Sequence, residues 1–167
     1  MPIIIDPNKQ LINITCYYTE KAKPHGNSLY YFIKSAEELQ RFKDRGFVLE
    51  SEAAKDINGK VTTPPDKIIY VLETTWRTPT WRDQNLIFTK SVKHLTRPDG
   101  TFTNEIDAIA YRDWKLKVCL KKWNVMSTDN KPLDVTEGLI DNLNPVVAQE
   151  LLAAFEKVTE PNESDYV

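Results

Sequence analysis

The sequence is short of the residues from which several kinds of site are built. It has 5 glycines in 167 residues. It contains no GxxxxGK[ST], GxGxxG or GxSxG, which excludes a phosphate cradle of backbone amides and a nucleophile elbow. The 2 cysteines, Cys16 and Cys119, lie far apart, and neither belongs to a CxxC pair. Neither a disulfide framework nor a zinc site is indicated, so both read as small buried apolar groups. Of the 2 histidines, His25 sits in the turn Lys-Pro-His-Gly and His94 near an expected helix end, where a cation suits the dipole. Neither has a HExxH-type partner. No apolar run approaches the ~20 residues that span a bilayer. The start, MPIIIDPNKQ, lacks a basic region and does not read as a signal peptide. Asn13-Ile14-Thr15 and Asn162-Glu163-Ser164 match the glycosylation sequon, but without a secretion signal they read as chance. An intracellular, reducing compartment is expected.

Nor is there an excess of charge of either sign: 22 Lys+Arg face 24 Asp+Glu, for a net −2. Nucleic-acid binders draw much of their affinity from neutralising phosphates and carry a basic surplus, so this balance argues against that role. Hydrophobic residues at 41% and charged residues at 28% are ordinary for a globular chain. The length suits one domain, or one domain with an appendage.

What is present is well punctuated. Leu11 to Tyr18 and Leu29 to Lys34 are β-branched and aromatic runs that predict strands. Ser35 with Glu38 fits a capping box for a short helix, and Gly46 fits its C-terminal turn. Phe47, Val48 and Leu49 resume an extended segment, and Asn58-Gly59 predicts a type I′ turn. The segment IIYVLETTW, 68 to 76, is the strongest strand, with Ile68, Tyr70, Leu72, Thr74 and Trp76 on its core face.

TWRTPTW, 75 to 81, is then a strand-to-helix corner. Pro79 suits a first helical position with Thr78 as cap, while Thr80 with Asp83 is a competing cap. Trp76 and Trp81 are expected to be buried and to pack across the corner, in preference to forming an exposed stacking platform. The helix is expected to reach His94, with Trp81, Leu86, Phe88 and Val92 as its apolar content. After the turn Arg97-Pro98-Asp99-Gly100, a long helix from Glu105 to Trp123, capped by Asn104, is predicted from Ile106, Ile109, Leu116, Leu120 and Trp123. Thr136 caps a short helix, and Asn144-Pro145 opens a last one whose apolar stripe is Val147, Ala148, Leu151, Leu152 and Phe155. The fold class expected is α+β, a β-rich N-terminal half followed by a helical C-terminal half. Residues 1–77 form the first region, 78–160 the second, within one compact unit, and 161–167 a flexible tail.

No constellation of nucleophile, base and orienter is visible. Glu105, Asp107 and Asp113 are interleaved with Arg112 and Lys115, which reads as a salt-bridged, solvated face. The basic run RDWKLKVCLKK, 112 to 122, reads the same way, since lysine stems cover apolar surface with their heads in water.

The order of "TPTWRD", "YRDWKLKVCLKKWNV", "TDNKPLDVT" and "LIDNLNPVVAQELLAAFEKV" resembles the tail assembly chaperones and related small tail-morphogenesis proteins of tailed bacteriophages. These often carry a Pro-Thr-Trp-like helix start, a helix ending near a Trp, a Gly-Lys-Pro turn and a helix of the pattern Leu-Pro-x-x-x-x-x-Leu-Leu. The resemblance spans residues 68–158; the first 67 residues are unmatched. It implies a non-enzymatic protein without cofactor or metal, which binds a tail protein of tape-measure type in the host cytoplasm during assembly. The alternatives are a structural virion component (a tail, baseplate or connector subunit) and, further off, a nucleic-acid binder. No membrane partner is expected, and an oligomer stays open. Leu151, Leu152 and Phe155 are the expected partner-binding residues, with Phe155 near the edge of the packing. Trp76, Pro79, Trp81, Leu116, Leu120 and Trp123 are the expected structural ones, with the last helix packed on Leu116, Leu120 and Trp123.

Overall fold

The computed structural model describes Asp6 and residues 10–160. Apart from Asp6 and Gln10, the reading of MPIIIDPNKQ lies outside the described residues, as do the Asn162 sequon and the tail. The described chain is a mixed α/β protein with strands mainly early and helices mainly late. It divides into two compact units: an inserted unit, 15–73, and a discontinuous unit formed by the residues up to 14 and those from 74 onward.

The inserted unit is built on β1 (Leu11–Lys21), β2 (Leu29–Ile33), α1 (Ala36–Asp44), β3 (Val48–Leu49) and β4 (Ile68–Arg77), in the sheet order β2-β1-β4-β3. β1 and β4 also contribute residues to the other unit. β1 and β2 are antiparallel, from Tyr17 opposite Ile33 to Lys21 opposite Leu29, while β3 runs parallel to β4. The aromatic content of these strands explains the pairing: the Tyr18 ring stacks on Phe32 and on Tyr70, at 5.4 Å between centroids in each case. Phe32, Ile68 and Leu72 are buried beside them. The Ser35 hydroxyl caps α1 by accepting from the Glu38 amide at 3.1 Å, and Glu38 returns its carboxylate to the Lys34 amide at 2.7 Å. Asn58-Gly59 does not form a type I′ turn. That turn needs positive φ at both central residues, and only Gly59 has it, at 79°. Asp56 takes over instead, accepting the Asn58 and Lys60 amides at 2.9 Å each.

In the discontinuous unit, β4 ends against β7 (Leu120–Trp123), with Thr74 opposite Trp123 and Trp76 opposite Leu120. Between them run α2 (Trp81–Ser91), β5 (Val92–Thr96), β6 (Phe102–Ile106) and α3 (Ala108–Cys119). After β7 come α4 (Glu137–Asp141) and α5 (Pro145–Thr159). The halves are therefore not cleanly β and α: α1 interrupts the early strands, and β5, β6 and β7 interrupt the late helices.

Two expected helices are shorter than their apolar spacing suggested. The helix expected to reach His94 stops at Ser91, and the one expected from Glu105 to Trp123 covers only Ala108–Cys119. The Arg97-Pro98-Asp99-Gly100 turn makes a hairpin of the residues on either side, with the Arg97 amide donating to the Thr101 carbonyl at 2.8 Å. Asn104 lies within β6, and Asp107 is the cap instead. Leu120 to Trp123 leave the helix because they pair with β4, a tertiary bond that outweighs local propensity.

The corner at 75 to 81 is half as expected. Trp76 is fully buried, with its ring stacked on Phe155 at 4.5 Å and 10° between planes. Its indole N–H donates to Thr74 Oγ1 at 2.7 Å, and the Thr74 hydroxyl donates to the Ile14 carbonyl at 3.0 Å. Trp81, expected to be buried, is 79% exposed. Thr80 and Asp83 form the capping box in place of Thr78, so Pro79 precedes the cap and Trp81 opens the helix at its exposed end; the buried residues of α2 are Ile87 and Ser91. Leu86 and Phe88 accordingly face outward.

Candidate functional site

The helices of the discontinuous unit begin at strong caps. Asp107 accepts the Ile109 and Ala110 amides at 2.9 and 3.3 Å, Thr136 the Leu139 amide at 3.2 Å, and Asn144 the Val146 amide at 3.0 Å. Lys93 ion-pairs with Asp107. Its hydrogen bond, with those of the capped amides, holds that carboxyl below the usual range. These caps set which faces of α3, α4 and α5 meet.

The meeting leaves a groove of about 280 Å³. α3 lines it with Ile109, Arg112, Asp113 and Leu116, and α5 with Pro145, Ala148, Gln149 and Leu152; Ile140 of α4 completes it. Both long helices present i, i+3, i+4, i+7 faces, the spacing that receives a further helix. Leu116, Ile140 and Leu152 are buried, whereas Ile109 is 81% exposed. The lining is apolar with a short polar rim of Arg112, Asp113 and Gln149.

Lysines fix the surrounding helices. Lys115, expected on a solvated face, is buried and donates to Glu156 at 3.1 Å and Glu160 at 3.0 Å. Burial opposes its charge, but these two carboxylates outweigh burial and raise its pKa. Lys117 reaches Asp113 at 2.7 Å and Asp141 at 2.6 Å, joining α3 to α4, with the same sense of shift. The Trp114 ring lies against the Lys90 and Lys117 ammonium groups at 5.2 and 5.1 Å. Within the basic run, Lys115 and Lys117 are therefore occupied with carboxylates, and Lys117 also with an indole face.

The expected partner-binding residues are not on a surface. Leu151, Leu152 and Phe155 are buried, and only Leu152 reaches the groove, at its floor. Phe155 is central, against Trp76, and not at the edge. Among the expected structural residues, Leu116 and Leu120 are buried and Trp123 is half-buried, its indole N–H donating to the Leu133 carbonyl at 2.7 Å. Pro79 is half-buried in the link between β4 and α2.

Chemistry elsewhere is structural in kind. Arg77 and Asp83 pair at 2.9 Å across the corner. Burial would raise the Asp83 pKa, but the Thr80 amide and hydroxyl and the Arg77 charge hold it below the usual range. The Cys119 thiol is pushed up to about 11 by burial, the opposite of an activated thiolate. His25 lies in an exposed bend, and His94 is a strand residue whose Nδ1 lies 2.6 Å from Asn104 Oδ1. No group of three or more His, Cys, Asp or Glu that could hold a metal occurs among the described residues. None of the helices among them is long and apolar enough to cross a membrane.

Sequence reasoning missed a second concavity. In the inserted unit, Leu29, Tyr30, Tyr31, Phe42 and Phe47 line an open cleft of about 550 Å³, with Glu20, Lys21, Asp66 and Lys67 around it. The Lys67 ammonium already covers the Phe47 ring at 4.5 Å. The adjacent aromatics of LYYFI were its signal, since neighbouring strand residues point to opposite faces and cannot share one core.

Compared with known proteins, the chain matches no family model, no curated protein and no solved structure.

Proposed function

We propose that the protein is a non-enzymatic interaction protein of bacteriophage tail assembly, which binds a helical segment of a tape-measure-type tail protein in the groove between α3, α4 and α5. One observation carries this reading: α3 and α5 each present a face at i, i+3, i+4, i+7 spacing, with Ile109, Leu116, Pro145, Ala148 and Leu152 as the apolar members, and leave the space between them open. The resemblance of residues 68–158 to tail assembly chaperones supplies the class of partner. Ile109 is the exposed anchor of the groove, and Leu116, Ile140 and Leu152 form its floor. The protein acts in the host cytoplasm while the tail is built.

The second reading is a structural virion component, favoured by the β5–β6 hairpin, whose exposed apolar face suits a contact made permanently in a particle. Nucleic-acid binding is weaker on this geometry, because Lys115 and Lys117 already carry carboxylates.

Binding of the purified tail protein to the wild-type chain and to Ile109→Asp tests the first reading. The substitution is expected to weaken binding roughly ten-fold or more, as loss of a central apolar anchor does, with an unchanged melting curve. Equal binding by both chains would sink the groove reading. Mass spectrometry of purified particles separates the two classes: an assembly chaperone is absent from the mature virion, and a subunit is present.

A further inference from the structure

The β5–β6 hairpin connects the packed helices α2 and α3 and has no cover of its own. The two strands pair only with each other among the described residues, and neither forms an extended contact with another element. Phe102 is 79% exposed, and Ile106 is exposed beside it. An open strand edge with apolar side chains is a template for another strand, and natural proteins normally blunt such edges with lysine, proline or a bulge.

The outer edge of β6 can be specified atom by atom. The Arg97 amide donates to the Thr101 carbonyl, and the Asp107 amide to the Ser91 carbonyl, both at 2.8 Å. With Lys93 opposite Glu105 and Leu95 opposite Thr103, the hydrogen-bonded pairs alternate between these two ends. The peptide groups of Thr103 and Glu105 therefore point at β5. Those of Phe102, Asn104 and Ile106 point away from it, and the side chains of the same three residues share one face.

We propose that this edge pairs with the same edge of a second copy of the chain, antiparallel about a two-fold axis at Asn104. The sequence Phe-Thr-Asn-Glu-Ile is complementary to itself in that register. Asn104 meets Asn104 of the other copy in a hydrogen-bonded pair, and Phe102 meets Ile106 on each side. Each pair exchanges two peptide hydrogen bonds, and each exposed Phe102 gains an aliphatic neighbour. On the opposite face Glu105 keeps Lys93 of its own hairpin on one side and faces Thr103 of the other copy, so no like charges stand directly opposite. The β5 edge is a poorer template. Its centre would set His94 against His94 and Val92 against Thr96, with Lys93 and Arg97 nearby. A contact of five residues per strand is small for a stable interface, so the pairing is weak and depends on concentration.

The test is sedimentation of the full chain over a concentration series, together with single-cysteine cross-linking. The wild type is expected to form a reversible dimer within the range up to about 1 mM, the weak end of specific affinity. Asn104→Pro removes an outward backbone donor and spares the backbone bonds to β5, losing only the side-chain contact with His94. It is expected to weaken the dimer roughly ten-fold, with an unchanged far-UV spectrum. Phe102→Lys, a charge on the edge, should act in the same direction. Asn104→Cys should cross-link to itself on oxidation, because a hydrogen-bonded antiparallel pair sets Cα atoms about 5.5 Å apart. Glu105→Cys lies diagonal to its own copy and should not. A chain that stays monomeric throughout, a dimer that both edge variants leave intact, or cross-linking by Glu105→Cys but not Asn104→Cys would each overturn the proposal.

Discussion

The surroundings of Trp76 and the β5–β6 hairpin belong to the same unit and treat apolar residues in opposite ways. Trp76 of β4 is fully buried, with Phe155 of α5 stacked on it and Leu120 of β7 opposite it; Leu151 and Cys119 are fully buried in the same unit. In the hairpin, Phe102 and Ile106 stand in solvent although strand pairing there is regular. Residue type does not separate the two regions. The covering element does: α5 lays Phe155 flat on Trp76, whereas among the described residues only β5 makes an extended contact with β6. A two-stranded hairpin is marginal alone, so this one depends on α2 and α3 at its base, where the Asp107 amide and side chain reach Ser91 and Lys93. Exposed apolar side chains on such a hairpin add nothing to the core.

The comparison breaks most easily at its buried end. Trp76→Ala is expected to cost roughly 3–5 kcal/mol in denaturant unfolding, as for buried aromatics generally. Phe155→Ala should cost a similar amount, and the double variant less than the sum, because the two rings share one contact. A loss of that size for Phe102→Ser would show that the hairpin is core after all and would abolish the contrast.

Alkali provides the next effect. The Cys119 thiol ionises at about 11 in the folded chain, against 9.0 ordinarily, because of burial. Its folded pKa is raised, so its contribution is fully present below pH 9.0 and is lost as pH rises through about 11. The size is about 3 kcal/mol at most, from two units of pKa at about 1.4 kcal/mol each. Melting curves from pH 8 to 11 should show the decline, and Cys119→Ala should flatten it. No flattening would mean that another group governs alkaline unfolding.

Lys115→Ala is smaller. The lysine is buried, but Glu160 is exposed and Glu156 half-exposed, so water rescreens the stranded carboxylates. About 1 kcal/mol is expected, between the exposed and buried limits. The least effect belongs to Trp81→Ala, within about 0.5 kcal/mol as for an open surface site. The same substitution should leave the near-UV signal of the buried Trp76 unchanged.

Polar punctuation was legible in the sequence. Ser35, Thr136 and Asn144 cap the helices they were expected to cap, because each needs only its own side chain and an amide two to four residues on. The core face of β4 was legible in part: alternation placed Ile68, Leu72, Thr74 and Trp76 on one buried side, but Tyr70 of that side is half-buried and Ile69 of the other is fully buried. Helix phase was not legible. With Thr80 as cap, Trp81 is the first residue of α2 and faces outward, while Ile87, six residues on, faces inward. Nor could local spacing tell Phe102–Ile106 or Leu120–Trp123 from helix, because both are short and their partners lie elsewhere in the chain. The candidate site was legible in part. The stripe on α5 was found, but its deepest members, Leu151 and Phe155, went to the core, and Ala148, Gln149 and Leu152 line the groove.

The central claim is that the groove, and not the buried side of α5, receives a partner. Hydrogen exchange of the chain, free and bound to the tail protein, tests it most directly. Amides of 109–116 and 146–152 are expected to gain protection in the complex, while those of 73–77 in β4 stay as they were. Saturating binding that leaves both helical segments unchanged would contradict the account.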